Sequence, residues 1–294
     1  MSPMAYLPQA TEFARRGWAA VVLMRRGYGD SGGDWAETLG SCNNPDYVKA
    51  ATSSVSDLRA VIAHLGTRPD IDSSKIISVG QSAGGFATVA LTADPPPGLV
   101  AAINFAGGRG SQSDDEVCRE ERLIEAMRAF GRRSRLPMPW IYAENDKFFG
   151  PTLARKMRDA FADAGGQVQF VALPPFGRDG HSLFSSGIRQ WTPTVDKFLQ
   201  ERRLVLQDGL LPPPTSAKTP ANFIIGDVRR STNSAPQGRT RRLPFLPAER
   251  GRGARGGGPQ MQRMPRSKPT ASAATIAASS PWTTLLLSDQ ILLD

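Results

Sequence analysis

Short apolar runs and helical stripes alternate along the first two thirds of this chain. Five apolar runs predict strands: Trp18–Met24, Ile76–Val79, Leu99–Ala106, Pro139–Ala143 and Val168–Leu173. The first of them, Trp18–Met24, is continuously apolar, which is typical of a strand buried on both faces. Between and around them, apolar residues recur at helical spacing, within residues 4–16, 55–65, 86–91, 117–130, 153–164 and 192–203. This alternation predicts an α/β fold with a mostly parallel, doubly wound sheet.

A G-x-S-x-G motif occupies Gly80 to Gly84, with Ser82 at its centre. It stands between the predicted strand Ile76–Val79 and the helical pattern that starts at Phe86. A nucleophile elbow needs this order of strand, sharp turn and helix, because the turn exposes the serine at the carboxyl edge of the sheet. We therefore predict that Ser82 is a nucleophile.

A serine nucleophile needs a base, and the chain has only two histidines. His64 lies inside a predicted helix upstream of Ser82, where we expect a surface residue. His181 lies in a loop just after the last predicted strand, and it can return over the sheet edge. We predict that His181 is the base.

An acid that orients the base should leave a strand between the serine and the histidine. Asp146 falls in the turn after Pro139–Ala143 and is our choice, with Glu144 as the fallback. Asp179 is closer to His181 in sequence, but it shares the same loop and is expected to stabilise that turn. The order Ser82, Asp146, His181 is that of α/β-hydrolase sheets.

These motifs, with Arg26-Gly27-Tyr28-Gly29-Asp30-Ser31-Gly32 after the first strand, resemble the α/β-hydrolase superfamily, in particular its dienelactone hydrolase and prolyl-oligopeptidase-like branches. The resemblance covers residues 1 to about 206. It implies a catalytic triad of Ser82, Asp146 and His181, and an oxyanion-hole donor at the backbone N–H of Ala83. It also implies a small-molecule acyl substrate and no metal or organic cofactor. Dienelactone hydrolases proper use cysteine, so Ser82 favours a general esterase or peptidase-like hydrolase.

The chain departs from this family at its start. The family's first three strands and its His-Gly oxyanion loop are not recognisable, and the third strand normally lies between those matching Trp18–Met24 and Ile76–Val79. Without it, two buried strands would keep unpaired backbone groups. We therefore expect a domain that is incomplete at its N-terminus. A catalytically impaired, truncated relative is the alternative to an active hydrolase.

The charge and composition divide the chain into a domain (residues 1–206), a proline-rich linker (207–220) and a tail (221–294). The residues from Thr215 onward hold 12 Lys/Arg and 4 Asp/Glu, which is +8 of the total charge of +9. We expect the Arg-, Gly-, Pro-, Ser- and Ala-rich tail to be disordered, although Trp282–Leu293 could form a short amphipathic helix. Nucleic-acid binding through this tail is a less favoured alternative, because aromatic residues are sparse and no repeat is sustained.

Cys42 and Cys118 show no zinc-site spacing, which leaves two unpaired thiols or, in an exported protein, a disulfide. The sequence contains no run of about 18 apolar residues, so we predict no membrane span. The N-terminus has no signal-peptide pattern, so we expect a cytoplasmic protein, or a periplasmic or secreted one if a signal precedes Met1. The oligomeric state stays open.

Two segments could form walls around the predicted site. The polar stretch Gly107–Arg135 is a lid or an ordinary connecting helix, and the loop Asp34–Tyr47 is a second wall.

Overall fold

The computed structural model describes residues 3–205, 223–227 and 282–287. These residues form a sheet of parallel strands flanked by helices. The α-helices of these residues are α1 (Leu7–Ala14), α2 (Tyr47–Leu65), α3 (Ala83–Leu91), α4 (Glu120–Gly131), α5 (Pro151–Asp163), α6 (Leu183–Ser186) and α7 (Ile188–Glu201). The strands are β1 (Trp18–Met24), β2 (Ile76–Gln81), β3 (Leu99–Phe105), β4 (Ser111–Ser113), β5 (Glu116–Val117), β6 (Met138–Ala143), β7 (Val168–Leu173), β8 (Phe223–Asp227) and β9 (Trp282–Leu287).

The main sheet has the strand order β7-β6-β3-β2-β9-β1-β8, and all of its pairs are parallel. Strands β4 and β5 form a separate antiparallel pair. The five strands predicted from the apolar runs are all present, with ends that differ by two residues at most. The predicted α/β fold with a mostly parallel sheet is therefore confirmed.

Strands β1, β2, β3 and β6 are buried on both faces, which explains their apolar sequences, whereas β7 at the edge of the sheet is only partly buried. All seven residues of β1 are buried. On one face, Phe13 of α1 and Trp191 of α7 stack with ring centroids 6.3 Å apart. On the other face, Phe86 of α3 packs edge-on against Phe130 of α4, with centroids 5.5 Å apart. Each such buried side chain contributes about 1.5–3 kcal/mol to stability, so both helical layers are needed.

Two segments of the expected disordered tail are strands. Strand β8 pairs with β1 on its outer side, and β9 lies between β1 and β2. The expectation of a disordered tail is wrong for these two segments, and Trp282–Leu287 is a strand where a helix was expected. The proposed linker 207–220 and the rest of the tail lie outside the described residues.

Strand β9 also corrects the expectation of a gap in the sheet. Its register pairs Val21 with Leu285 on one side and Ser78 with Leu285 on the other. The position between β1 and β2 is thus filled from the C-terminal part of the chain, and the expected unpaired edges of β1 and β2 do not occur.

The order of the strands decides where the site lies. Strands β7, β6, β3 and β2 are consecutive neighbours, and their carboxyl ends meet at one edge because they are parallel. In open α/β sheets, reactive residues gather at this edge. The loops after these strands carry Ser82, Asp146 and His181.

Candidate active site

Ser82 occupies a strained turn between β2 and α3. Its φ of 54° and ψ of −125° are unfavourable for a residue with a Cβ, and strain of this kind is common at functional sites. A Cβ on Gly80 would lie 2.2 Å from the carbonyl oxygen of Gly84, so only glycine fits there. These features are those of a nucleophile elbow.

Backbone hydrogen bonds hold the strained turn in place. The Ser82 N–H donates to the carbonyl of Phe105 at 3.0 Å. The Ser82 carbonyl accepts from the N–H groups of Phe86, at 2.9 Å, and Gly108, at 3.2 Å. The turn is therefore tied to both its own helix and the loop after β3, which is how the fold sustains its unfavourable dihedral angles.

His181 and Asp146 form a buried pair beside this turn. His181 lies in the 3₁₀ turn Gly180–Ser182 after β7, and its Nδ1 is 3.0 Å from Asp146 Oδ2 and 3.2 Å from Oδ1. The side chains are 7% and 0% exposed. A carboxylate on Nδ1 favours the tautomer with the proton on that nitrogen, which leaves Nε2 as the basic atom.

Asp146 has further contacts that fix its carboxylate. Its Oδ1 accepts the backbone N–H groups of Phe148 and Phe149, both at 2.9 Å. A carboxylate held by backbone donors cannot rotate freely, so it presents a fixed acceptor to the imidazole.

The other acidic candidates lie elsewhere. The fallback Glu144 is exposed, and its backbone N–H pairs with Leu173 of β7. Asp179 accepts the backbone N–H of His181 at 2.9 Å, and that of Lys147 at 3.1 Å. Asp179 therefore stabilises the turn around His181, as its place in the same loop predicts. His64 is exposed near the end of α2.

A glutamine joins the elbow to the histidine turn. Gln81, the residue before Ser82, is fully buried, and its Nε2 donates to the carbonyl of His181 at 2.5 Å. Between Ser82 and the imidazole itself, no hydrogen bond is found in the described part of the chain. Such contacts are often long before substrate binds, so this separation does not argue against a nucleophile–base pair.

Ala83 is the first residue of α3 and is fully buried. Its backbone N–H is among the unpaired donors that every helix N-terminus presents, and the helix dipole favours negative charge there. Ala83 is thus in the position expected of an oxyanion-hole donor. The residues that follow β9 lie outside the described ranges.

A buried ionic cluster is centred on Glu37, in the wall loop Asp34–Tyr47. Glu37 accepts hydrogen bonds from Arg25, from Arg109 and, at 2.9 Å, from the Tyr28 hydroxyl. Burial raises the pKa of Glu37, but the two guanidinium groups outweigh this and lower it to about 2. Arg109 also donates to the Glu37 carbonyl at 2.9 Å, which joins the wall loop to the segment after β3.

A disulfide forms a second link between the two walls. Cys42 in the wall loop bonds to Cys118, which precedes α4, with a Cα–Cα distance of 4.8 Å. The Tyr47 hydroxyl donates to the Cys118 carbonyl. Of the two alternatives for these cysteines, the structure has the disulfide. The stretch Gly107–Arg135, which we considered as a lid or a connecting helix, contains the β4–β5 pair and α4. Helix α4 packs on α5.

Sequence reasoning missed several of these residues. Gln81 was only the variable position of the elbow motif, and Phe148 resembled any apolar residue before a helix. Glu37 and Arg109 lie 72 residues apart. A buried ion pair between such distant residues leaves no local sequence signal.

Two other kinds of site are not found in the described part of the chain. None of its helices is long and apolar enough to cross a membrane. Within the same residues, no group of three or more His, Cys, Asp or Glu side chains is arranged to hold a metal ion.

Residues 2–144 match the family model described as X-Pro dipeptidyl-peptidase (S15 family). The matched residues make up just under half of the chain. No protein of curated function matches the chain significantly.

Solved structures show partial likenesses. A Klebsiella pneumoniae protein assigned as a dienelactone hydrolase is 18% identical, with a TM-score of 0.39, over 51% of this chain and 60% of that one. An esterase from Thermogutta terrifontis is 21% identical, with a TM-score of 0.40, over 65% of this chain and 86% of that one. The acylaminoacyl peptidase of Pyrococcus horikoshii is 14% identical, with a TM-score of 0.42, over 65% of this chain and 38% of that one. The chain spans less than two thirds of the first and third of these proteins, so its function has to come from the site itself.

Proposed function

We propose that this chain, which is related to the α/β-hydrolase superfamily, is a serine hydrolase that cleaves carboxylic esters or related acyl bonds. The observation that carries the proposal is the buried Asp146–His181 pair at the same sheet edge as the strained turn of Ser82. A serine in an exposed loop would have neither the strained turn nor a buried histidine–carboxylate pair at the same sheet edge. A strained serine, a histidine and a buried carboxylate are the parts that acyl transfer needs.

In the proposed reaction, Ser82 Oγ attacks the carbonyl carbon of the substrate while His181 Nε2 takes the serine proton. The carbonyl π bond opens, and its oxygen becomes an oxyanion that the Ala83 N–H stabilises. The intermediate collapses, the leaving group departs with the proton from His181, and an acyl-enzyme remains.

A water molecule completes the cycle. His181 takes a proton from the water, whose oxygen attacks the acyl carbon. The second intermediate then collapses, the bond between the acyl carbon and Ser82 Oγ breaks, and His181 gives the proton to Oγ. Asp146 stays ionised throughout and stabilises the imidazolium that forms in each half-reaction. The products are a carboxylic acid and the free leaving group.

Peptide cleavage is a second candidate, favoured by the family match of residues 2–144. An amide needs the same triad and the same proton transfers, so the distinction lies in the substrate. Hydrolysis of an Ala-Pro p-nitroanilide separates the two. A peptidase cleaves this anilide as well as an activated ester such as p-nitrophenyl butyrate, whereas an esterase cleaves the ester and leaves the anilide intact.

A fluorophosphonate probe tests the proposal directly, because it reacts covalently with an activated serine. We expect the wild-type chain to be labelled and Ser82→Ala to lose the label completely. The matched control is Ser56→Ala, which removes an exposed serine hydroxyl on α2, outside both wall segments, and should label like the wild type. Circular dichroism verifies that all three chains are folded.

The test also addresses the alternatives. A soluble, folded wild-type chain that takes no label is a catalytically impaired relative, and the proposal is then wrong. RNA binding that weakens with salt and disappears on deletion after Pro214 would instead favour nucleic-acid binding through the basic tail.

A further inference from the structure

The imidazole of His181 is covered by an aromatic ring. The ring of Phe148 lies nearly parallel to it, with an interplanar angle of 25° and a centroid distance of 4.2 Å. Phe149 approaches at a tilt, with its centroid 5.6 Å away. At 4.2 Å the Phe148 and His181 rings are in direct contact, so the imidazole cannot tilt toward that side without displacing the phenyl ring.

The position of Phe148 is tied to the same carboxylate that orients His181. Asp146 Oδ1 accepts the Phe148 N–H at 2.9 Å, while the Asp146 carboxylate also contacts His181 Nδ1. Asp179 adds a second tie, because its Oδ1 accepts the N–H groups of both Lys147 and His181. The turn after β6 and the turn after β7 are therefore joined through both carboxylates, and Phe148 has a defined place over the imidazole.

From this geometry we infer that Phe148 is a positioning residue for His181. The inference rests on the proposed function. The ring restricts the imidazole to the orientation in which Nδ1 faces Asp146 and Nε2 is free for the proton of Ser82. Its π face also attracts the imidazolium more strongly than the neutral imidazole, so it favours the state that forms during proton transfer.

This role differs from that of an aromatic residue that lines an acyl pocket. A lining residue touches the substrate, so its loss changes KM, and the change depends on the acyl chain. A positioning residue acts through His181, so its loss lowers kcat by the same factor for every substrate. The two roles therefore give different kinetic patterns.

The experiment compares Phe148→Leu with the wild type on p-nitrophenyl acetate, butyrate and octanoate. Leucine keeps an apolar side chain at this half-buried position but has no π face. We expect kcat to fall about 3- to 30-fold for all three esters, while KM changes by less than about twofold. Phe148→Tyr keeps the aromatic face and should restore most of kcat.

Phe170→Leu is the matched control. Phe170 is also half-buried, but its ring stacks on Tyr142 of the sheet, with centroids 5.7 Å apart. The same substitution there should leave kcat and KM close to the wild-type values.

The outcomes separate this inference from the function on which it rests. An active wild type whose Phe148→Leu variant keeps its kcat, or shows a change in KM that depends on chain length, overturns only the role of Phe148. A wild type that neither cleaves esters nor reacts with fluorophosphonate overturns the proposed function, and the role of Phe148 with it.

Discussion

Asp146 and Glu144 differ by two positions in the chain and follow the same strand, yet their surroundings are opposite. The Asp146 side chain is fully buried and accepts from two backbone N–H groups while it contacts His181, whereas Glu144 is exposed. Both carboxylates satisfy the sequence requirement for an acid after the strand. The difference in burial and in bonding partners is what separates their expected roles.

Replacing Asp146 with asparagine should abolish most activity without removing the turn. The carbonyl oxygen of the new amide could still accept the two backbone N–H groups, but its NH₂ would face Nδ1 and force the proton onto Nε2, where the base is needed. We expect kcat to fall roughly 10³- to 10⁴-fold. Ester hydrolysis, measured with circular dichroism as a folding check, provides the readout.

Glu144→Gln is the control, since it makes the same chemical change at the exposed neighbour. Its kcat should stay within about twofold of the wild type, as for most exposed polar substitutions. The assignment of the acid would be reversed if Glu144→Gln lost activity and Asp146→Asn kept it.

At the same scale, the residues of the site differ in how well the sequence shows them. Ser82 is recognisable because its glycines and its flanking strand and helix are adjacent in the chain. His181 follows from the small number of histidines. Gln81 and Phe148 give no such signal, because their contacts with His181 exist only when the loops after β2, β6 and β7 meet.

At the scale of elements, the two wall segments are connected by covalent and ionic links. The disulfide Cys42–Cys118 joins the loop after β1 to the segment before α4 across 76 positions of the chain. Arg109 and Glu37 join the same two regions through a second contact. The wall is therefore fixed at two places, and neither link involves the predicted triad.

Breaking the disulfide should cost stability. Because it closes a long loop, we expect the double variant Cys42→Ser, Cys118→Ser to lose about 2–5 kcal/mol of unfolding free energy. Urea unfolding with and without dithiothreitol measures this. The reductant should destabilise the wild type and leave the double variant unchanged.

A count of reactive thiols in the untreated protein tests whether the disulfide is present. A folded, untreated wild-type chain that reacts with two equivalents of a thiol reagent contains free cysteines and contradicts the disulfide.

At the scale of the whole molecule, β9 connects the far end of the chain to the middle of the sheet. It pairs with β1 over residues 18–23 and with β2 over residues 76–80. Strand β2 leads directly into the turn of Ser82, so the support of the elbow includes a strand from the far end of the chain.

A proline in β9 tests this placement. Leu285→Pro removes a backbone N–H in the centre of the strand, and a proline there disrupts the ladder. We expect a loss of about 3 kcal/mol or more of unfolding free energy, by analogy with proline inside other regular elements. Urea unfolding is the measurement, and fluorophosphonate labelling should fall with stability.

Leu285→Val is the control, because valine keeps the N–H and suits a strand. Its stability should stay close to that of the wild type. If Leu285→Pro unfolds at the same urea concentration as Leu285→Val, the segment does not belong to the sheet.

The sequence by itself determined the α/β class, the five strands of the first two thirds and the elbow at Ser82. These follow from local patterns, since apolar runs, helical spacing and glycine positions act between residues close in the chain. Only the tertiary structure decided that Asp146 meets His181, that Cys42 bonds to Cys118, and that β9 fills the place between β1 and β2. Each of those contacts joins residues far apart in sequence, and their pairing depends on how the whole chain packs.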